Sequence, residues 1–187
     1  MAVKTFTTGE VLTASDTNTY LANSGLVYIT SATVGSAVST VTVSNVFSAT
    51  YDNYLVHWVG GTSSASGIVQ IQLSGATTAN QYYSALIDVN IGTGAVGGQG
   101  RNGTVAYADY CGYSTATSSV VRTEIHYPYL AKPTHFFSSL INPSGNIFPG
   151  TGWCYHTQST SYTGFVMQVA GATMTGGTIR VYGYRQA

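Results

Sequence analysis

The chain has 187 residues, six basic and six acidic, and its charged residues make up only 6% of the total against the usual quarter of a globular protein. That balance leaves no basic face to follow a phosphate backbone, so nucleic acid is excluded as a partner. Disorder is excluded too, because 44% apolar residues with 15 tyrosines make a packed fold under a neutral surface of Ser, Thr, Asn and Gly.

One domain is expected at this length, residues 26–187, preceded by a short docking segment over residues 1–25. MAVKTFTTGE lacks an apolar core of signal-peptide length, and no later run approaches the roughly 18 apolar residues of a membrane span. The expectation is a chain that stays in the cytosol of its producer and inserts in no membrane. In that reducing compartment Cys111 and Cys154 read as buried free thiols rather than a disulfide.

The segment Thr5 to Ile29 is the one stretch without a β pattern. Thr13 suits an N-cap with Asp16 three residues on, a capping-box arrangement that starts a helix at Ala14. Tyr20 and Leu21 give the helix an apolar patch, and Asn23, Ser24 and Gly25 stop it, with Gly25 suited to a left-handed C′ position. So short a helix needs packing against its own domain or another chain. Phe6, Val11, Leu12, Tyr20 and Leu21 are the candidate docking anchors.

After Gly25, short runs rich in Val, Ile, Thr and Tyr recur between turn residues. They predict strands at Leu26 to Thr30, Ser39 to Phe47 and Asn53 to Val59, the last nearly all apolar and therefore central. Gly67 to Ser74 alternates, with Val69, Ile71 and Leu73 as the buried set. Gln81 to Val89 follows and leads into a long predicted loop, Asn90 to Gly103, which holds six of the 22 glycines. Further strands fall at Val105 to Tyr113, Ser119 to Tyr127 and Thr134 to Ile141. A second loop is predicted over Asn142 to Gly152, and the last strands at Trp153 to Thr157, Tyr162 to Val169 and Thr178 to Tyr184. So many short strands predict an all-β, two-sheet antiparallel β-sandwich, jelly-roll-like, with the one short N-terminal helix against an end or an edge.

The chemistry-bearing residues do not form a recognisable catalytic or metal pattern. No H-E-x-x-H, G-x-S-x-G, C-x-x-C or P-loop string occurs, so no metal and no cofactor are expected. His57, inside an apolar strand, reads as a core or interface histidine, and so do His135 and His156. Asp88, Asp109 and Glu124 could converge as a glycosidase-like pair, but three acids on three strands is what chance supplies. The reading is therefore non-enzymatic. Aromatic platforms for sugar rings are the stronger expectation. The candidate glycan contacts are Tyr82, Tyr83, Tyr107, Tyr110, Tyr113, Trp153 and Tyr155, with Arg101 as the one charge of the first long loop. Strand tyrosines that merely pack, and an ordinary solvated arginine, are the competing reading.

Two strings carry a family resemblance. FTTGEVLTASDTNTYL, Phe6 to Leu21, resembles the opening of many tailed-bacteriophage virion proteins, where it reads F-T-A-G-E-V-L-T-A-A-D-V-N-T-Y-L, and GGTIRVYGYR, Gly176 to Arg185, is similar to their closing strand. Together they cover roughly a seventh of the chain and bracket it. The resemblance implies a virion structural protein of minor tail or fibre type, assembled in the host cytoplasm. Its partners would be other virion proteins, copies of itself in a homotrimer and a host surface polysaccharide. The chain has no coiled-coil, collagen-like or β-helix repeat to build a shaft, which keeps open the alternative of a capsid decoration or cement protein bound to the major capsid protein.

Overall fold

The computed structural model describes residues 7–16, 25–143 and 147–185. Within the first of these, Thr13 and Asp16 form the expected capping box: the Asp16 amide donates to Thr13 Oγ1 at 3.1 Å and the Thr13 amide donates to Asp16 Oδ2 at 3.1 Å. One described turn of helix, α1 (Ala14–Asp16), follows that cap. The expected anchors Tyr20 and Leu21 and the stop at Asn23 and Ser24 lie outside the described residues, as does Phe6. Gly25 does take a positive φ of 82°.

From there the chain is β. In order it forms β1 (Leu26–Thr33), β2 (Thr40–Val43), β3 (Asn53–Val59), β4 (Thr62–Ser63), β5 (Gly67–Leu73), β6 (Tyr82–Val89) and β7 (Val96–Asn102). It continues with β8 (Ala108–Ser114), β9 (Ser119–His126), β10 (Thr134–Asn142), β11 (Phe148–His156), β12 (Phe165–Val169), β13 (Met174–Thr175) and β14 (Thr178–Tyr184).

Four antiparallel pairings set the topology: β1 with β14, β2 with β12, β3 with β9 and β5 with β8. These pairs are nested, as in one long hairpin whose outermost strands are β1 and β14 and whose innermost are β5 and β8. Such a ribbon can bury its apolar side only by rolling up. It does so through lateral pairing of β14 with β3 and of β12 with β5, giving one sheet ordered β1-β14-β3-β9 and a second ordered β2-β12-β5-β8. That is jelly-roll topology. The sheets join at the β8–β9 hairpin, where only Tyr113 with Val120 and Ser114 with Ser119 pair.

Two inserted hairpins enlarge the first sheet. The β10–β11 hairpin pairs with β9, the β6–β7 hairpin pairs with β11, and the sheet becomes β1-β14-β3-β9-β10-β11-β6-β7. Its inner side is therefore wider than the four-stranded sheet that covers it.

The core is the inward set that alternation assigns. Val69, Ile71 and Leu73 of β5 lie beside Val43 of β2 and Phe165 and Met167 of β12 on one sheet, and across the layer lie Tyr54, Val56 and Trp58 of β3, Val121 and Ile125 of β9, and Ile179 and Val181 of β14. Each large side chain buried there contributes about 1.5–3 kcal/mol of transfer free energy. β3 is central as expected, between β14 and β9. Cys111 and Cys154 are buried and unbridged.

Two expected loops are strands. Half of Asn90 to Gly103 is β7, which pairs with β6 from Val89–Val96 to Tyr83–Asn102 after a tight turn in which the Gly94 amide donates to the Asn90 carbonyl at 2.7 Å. The ladder is a backbone property, and Gly97, Gly98 and Gly100 supply that backbone without the side-chain alternation that marks a strand in sequence. Asn142 to Gly152 is largely hairpin, since β10 runs to Asn142 and pairs there with Phe148 of β11. Pro149 is tolerated near the start of β11 because the β6 ladder begins one residue later, at Gly150 with Asp88.

Candidate binding site

The wide sheet has two chemically different sides. On its outer side, register aligns His135, Tyr155 and Tyr83 across β10, β11 and β6, and in the adjoining row Glu124, Phe137, Trp153 and Ala85. His135 packs edge-on against Tyr155 with centroids 5.1 Å apart, and His126 against Phe137 at 5.2 Å. Three expected glycan contacts, Tyr83, Trp153 and Tyr155, thus do come together, on the sheet face rather than on loops.

Tyr82, its sequence neighbour, points the opposite way and is fully buried. Its hydroxyl accepts from the Leu73 amide at 3.0 Å and donates to the Ala76 carbonyl at 3.3 Å, and burial raises its pKa. It is a core residue and not a sugar contact. Strand alternation decides this, because residues 82 and 83 must face opposite sides of the sheet.

Tyr110 is likewise buried and offers no exposed platform. It sits in a bulge of β8, where Val69 pairs with Gly112 and Ile71 with Ala108, so that three residues of β8 oppose one of β5. Tyr110 takes a left-handed φ of 63° there, and its hydroxyl donates to Gln99 Oε1 at 3.3 Å. Gly152 of β11 is what admits the bulge: a Cβ at that position would stand 2.3 Å from the Tyr110 carbonyl oxygen. Tyr107 is half-buried between β7 and β8.

Arg101 is neither in a loop nor a lone solvated charge. It lies on β7 with Nε 3.3 Å from the Asp109 carboxylate, which is buried and also accepts from Gln70 Nε2 at 2.5 Å. Gln70 in turn accepts from Gln168 at 2.7 Å, so the edge strand is tied through Asp109 to β5 and β12. Burial nonetheless raises the Asp109 pKa, against the lowering effects of Gln70 and Arg101. This chain of contacts is structural, and it makes Arg101 a clamp on the inserted hairpin.

Between the inner side of the insert and the edge of the second sheet lies a cleft of about 210 Å³, lined by Ile68, Leu86, Asp88, Gln99, Tyr110, Tyr113, Leu140 and Asn142. Of the aromatic candidates only Tyr110 and Tyr113 reach it. Leu86, Leu140 and Tyr110 form a small apolar cluster of their own with Ile68 packed against it. Gln99 and Asn142 are binding candidates that the sequence reading passed over, and Asp88 entered it only as a member of the glycosidase set. The available signal was Asp88 itself, an acid at the inward beat of the alternating strand Tyr82–Val89, opposed by glycines on both flanking strands.

Glu124 is on the outer side of the sheet beside Arg122 and His126, whereas Asp88 is on the inner side and Asp109 is engaged by Arg101. The three acids therefore do not converge. His57 has its pKa lowered by burial and then by Arg122 and Arg180, and its Nε2 is buried without a partner. His156 is wholly buried in the core. Among the described residues no group of three His, Cys, Asp or Glu could hold a metal, and no helix is long and apolar enough to cross a membrane. Val11 and Leu12 are 79% and 48% exposed.

Comparison with family models, curated proteins and solved structures finds no match to this chain.

Proposed function

We propose that the chain is a structural protein of the exterior of a tailed-phage particle, a tail-associated module of minor tail or fibre type that meets the host surface glycan. The observation that carries this reading is the contrast between its two parts. The jelly roll contains its own core, while the segment bearing the phage-like opening string leaves Val11 and Leu12 in solvent beside a capped helix start. Large apolar side chains on such a segment are suited to a partner surface. The closing string supports the same reading, because GGTIRVYGYR supplies β14, the strand between β1 and β3 on which the first sheet is assembled.

A neutral surface suits close association with neighbours, since it lacks the charge that keeps proteins apart, and a homotrimer is the assembly proposed. The non-enzymatic reading draws on the acids: the one in the cleft and the one on the outer side of the sheet cannot flank a common bond. A second reading, a decoration protein on the head, is favoured by the compact roll, which has no shaft-building element among its described residues.

Immunogold labelling of intact particles with antibodies raised against residues 26–187 tests the proposal. Gold at the tail tip or tail fibres supports it. Gold spread over the head favours the decoration reading, and unlabelled particles that contain no copy of the chain overturn both.

A further inference from the structure

The geometry points to the cleft around Asp88 as a binding site for one hexopyranose ring, neutral or N-acetylated. This inference deepens the host-surface reading and rests on it for the source of the sugar.

The insert builds the cleft by removing side chains. Asp88 of β6 lies in register between Gly150 of β11 and Gly97 of β7. A Cβ on Gly97 would stand 2.5 Å from Asp88 Oδ1, and one on Gly150 would stand 2.9 Å from Asp88 Cβ and 3.1 Å from Leu86 Cδ1. Neither glycine has a positive φ, so a turn does not explain them. Their common effect is to leave the Asp88 carboxylate uncovered at the end of the inward row that begins with the buried Tyr82, Ser84 and Leu86.

Around that carboxylate the topology gathers groups from five strands. Gln99 of β7 and Asn142 of β10 bring amides, Tyr110 and Tyr113 of β8 bring phenols, and Leu86, Leu140 and Ile68 bring an apolar floor. A sugar ring asks for this combination. A carboxylate accepts from two neighbouring hydroxyls, an amide both donates and accepts, and an aliphatic floor receives the C–H face of the ring. No lysine or arginine lines the cleft, so an anionic ligand would meet Asp88 without a compensating charge. The volume of about 210 Å³ is below the roughly 300–1,000 Å³ of pockets for drug-sized molecules, which limits the occupant to a single ring of a longer chain. Tyr83 and Tyr155, on the outer side of the sheet, take no part.

The test is amide chemical-shift titration of the ¹⁵N-labelled protein with glucose, galactose, mannose, rhamnose, N-acetylglucosamine and N-acetylgalactosamine at millimolar concentration. The variants are Asp88→Ala, Gln99→Ala and the outer-face pair Tyr83→Ala with Tyr155→Ala. At least one sugar is expected to shift amides of β6, β7 and β8 around the cleft, Asp88→Ala and Gln99→Ala to weaken its binding tenfold or more, and the outer-face pair to leave it unchanged. Binding that survives both cleft variants overturns the inference and keeps a glycan function elsewhere, with the outer face indicated if its pair abolishes the shifts. No shift with any of the six sugars overturns the cleft, and particle labelling then decides separately whether the virion reading stands.

Discussion

His156 makes the fold sensitive to acid in a way that can be worked out before measurement. Its ring is wholly buried, 4.4 Å from the Tyr82 ring and 5.3 Å from the Tyr162 ring between centroids, and neither ring nitrogen has a hydrogen-bond partner. Thr134, opposite it in register, also buries an unpartnered hydroxyl. Burial among apolar and phenolic groups disfavours the imidazolium and lowers the pKa from 6.5 to about 4. Between those values the unfolded chain binds a proton that the folded chain refuses, so stability must fall as pH falls. The contribution is fully present above 6.5, is lost as pH drops toward and through about 4, and amounts to about 3 kcal/mol over that interval at 1.36 kcal/mol per unit. His57 and His126, also lowered, add to the wild-type slope, and Asp109, raised, opposes it at the acid end. His156→Gln removes only the one titration, so the informative quantity is the difference in urea unfolding free energy between wild type and variant at successive pH values. That difference should shift by about 3 kcal/mol in favour of the variant between pH 7 and pH 4. A difference that stays flat across this range would falsify the assignment of His156 as a neutral core residue.

Three further outcomes follow from the packing. Gly152→Ala drives a Cβ into the Tyr110 carbonyl and should lower unfolding free energy by about 1–3 kcal/mol in the same urea assay, since the Tyr110 backbone and its Cβ leave little room to give and the Ser138 hydroxyl crowds the same spot. Val11→Asp with Leu12→Asp should leave that free energy within about 0.5 kcal/mol, because both side chains are already in solvent, while removing the protein from purified particles. Cys111 and Cys154, their thiol pKa values pushed up by burial, the latter to about 12, should be silent toward a thiol reagent in the native protein and both titrate in denaturant.

The sequence marked the strands whose side chains carry the pattern. Asn53–Val59 and Thr178–Tyr184 are recovered to the residue, because an apolar or alternating run in each ends against glycine or a turn. The inward sets Val69, Ile71, Leu73 and Val121, Thr123, Ile125 follow from the same alternation. β7 escaped for the opposite reason: its residues are all exposed and three are glycine, so it pairs without any side-chain signature. The two-residue strands β4 and β13 are too short to show a period at all.

The candidate site was legible only in fragments. Choosing aromatics by type grouped Tyr82 with Tyr83, although the alternation of their own strand separates them into core and surface. The cleft draws on β5, β6, β7, β8 and β10, whose meeting depends on the two inserted hairpins joining through β6 and β11. Nothing local in sequence encodes that junction. The glycines at 97, 150 and 152 were read as loop punctuation, whereas in the fold each leaves room for a side chain or backbone of another strand.

The virion assignment is tested most directly by quantitative mass spectrometry of purified particles, then of separated heads and tails, with copies counted against the major capsid protein. The reading expects a small copy number in whole trimers travelling with tails. Absence from the particles would contradict it outright, and a copy number matching the major capsid protein in the head fraction would replace the tail module with a decoration protein.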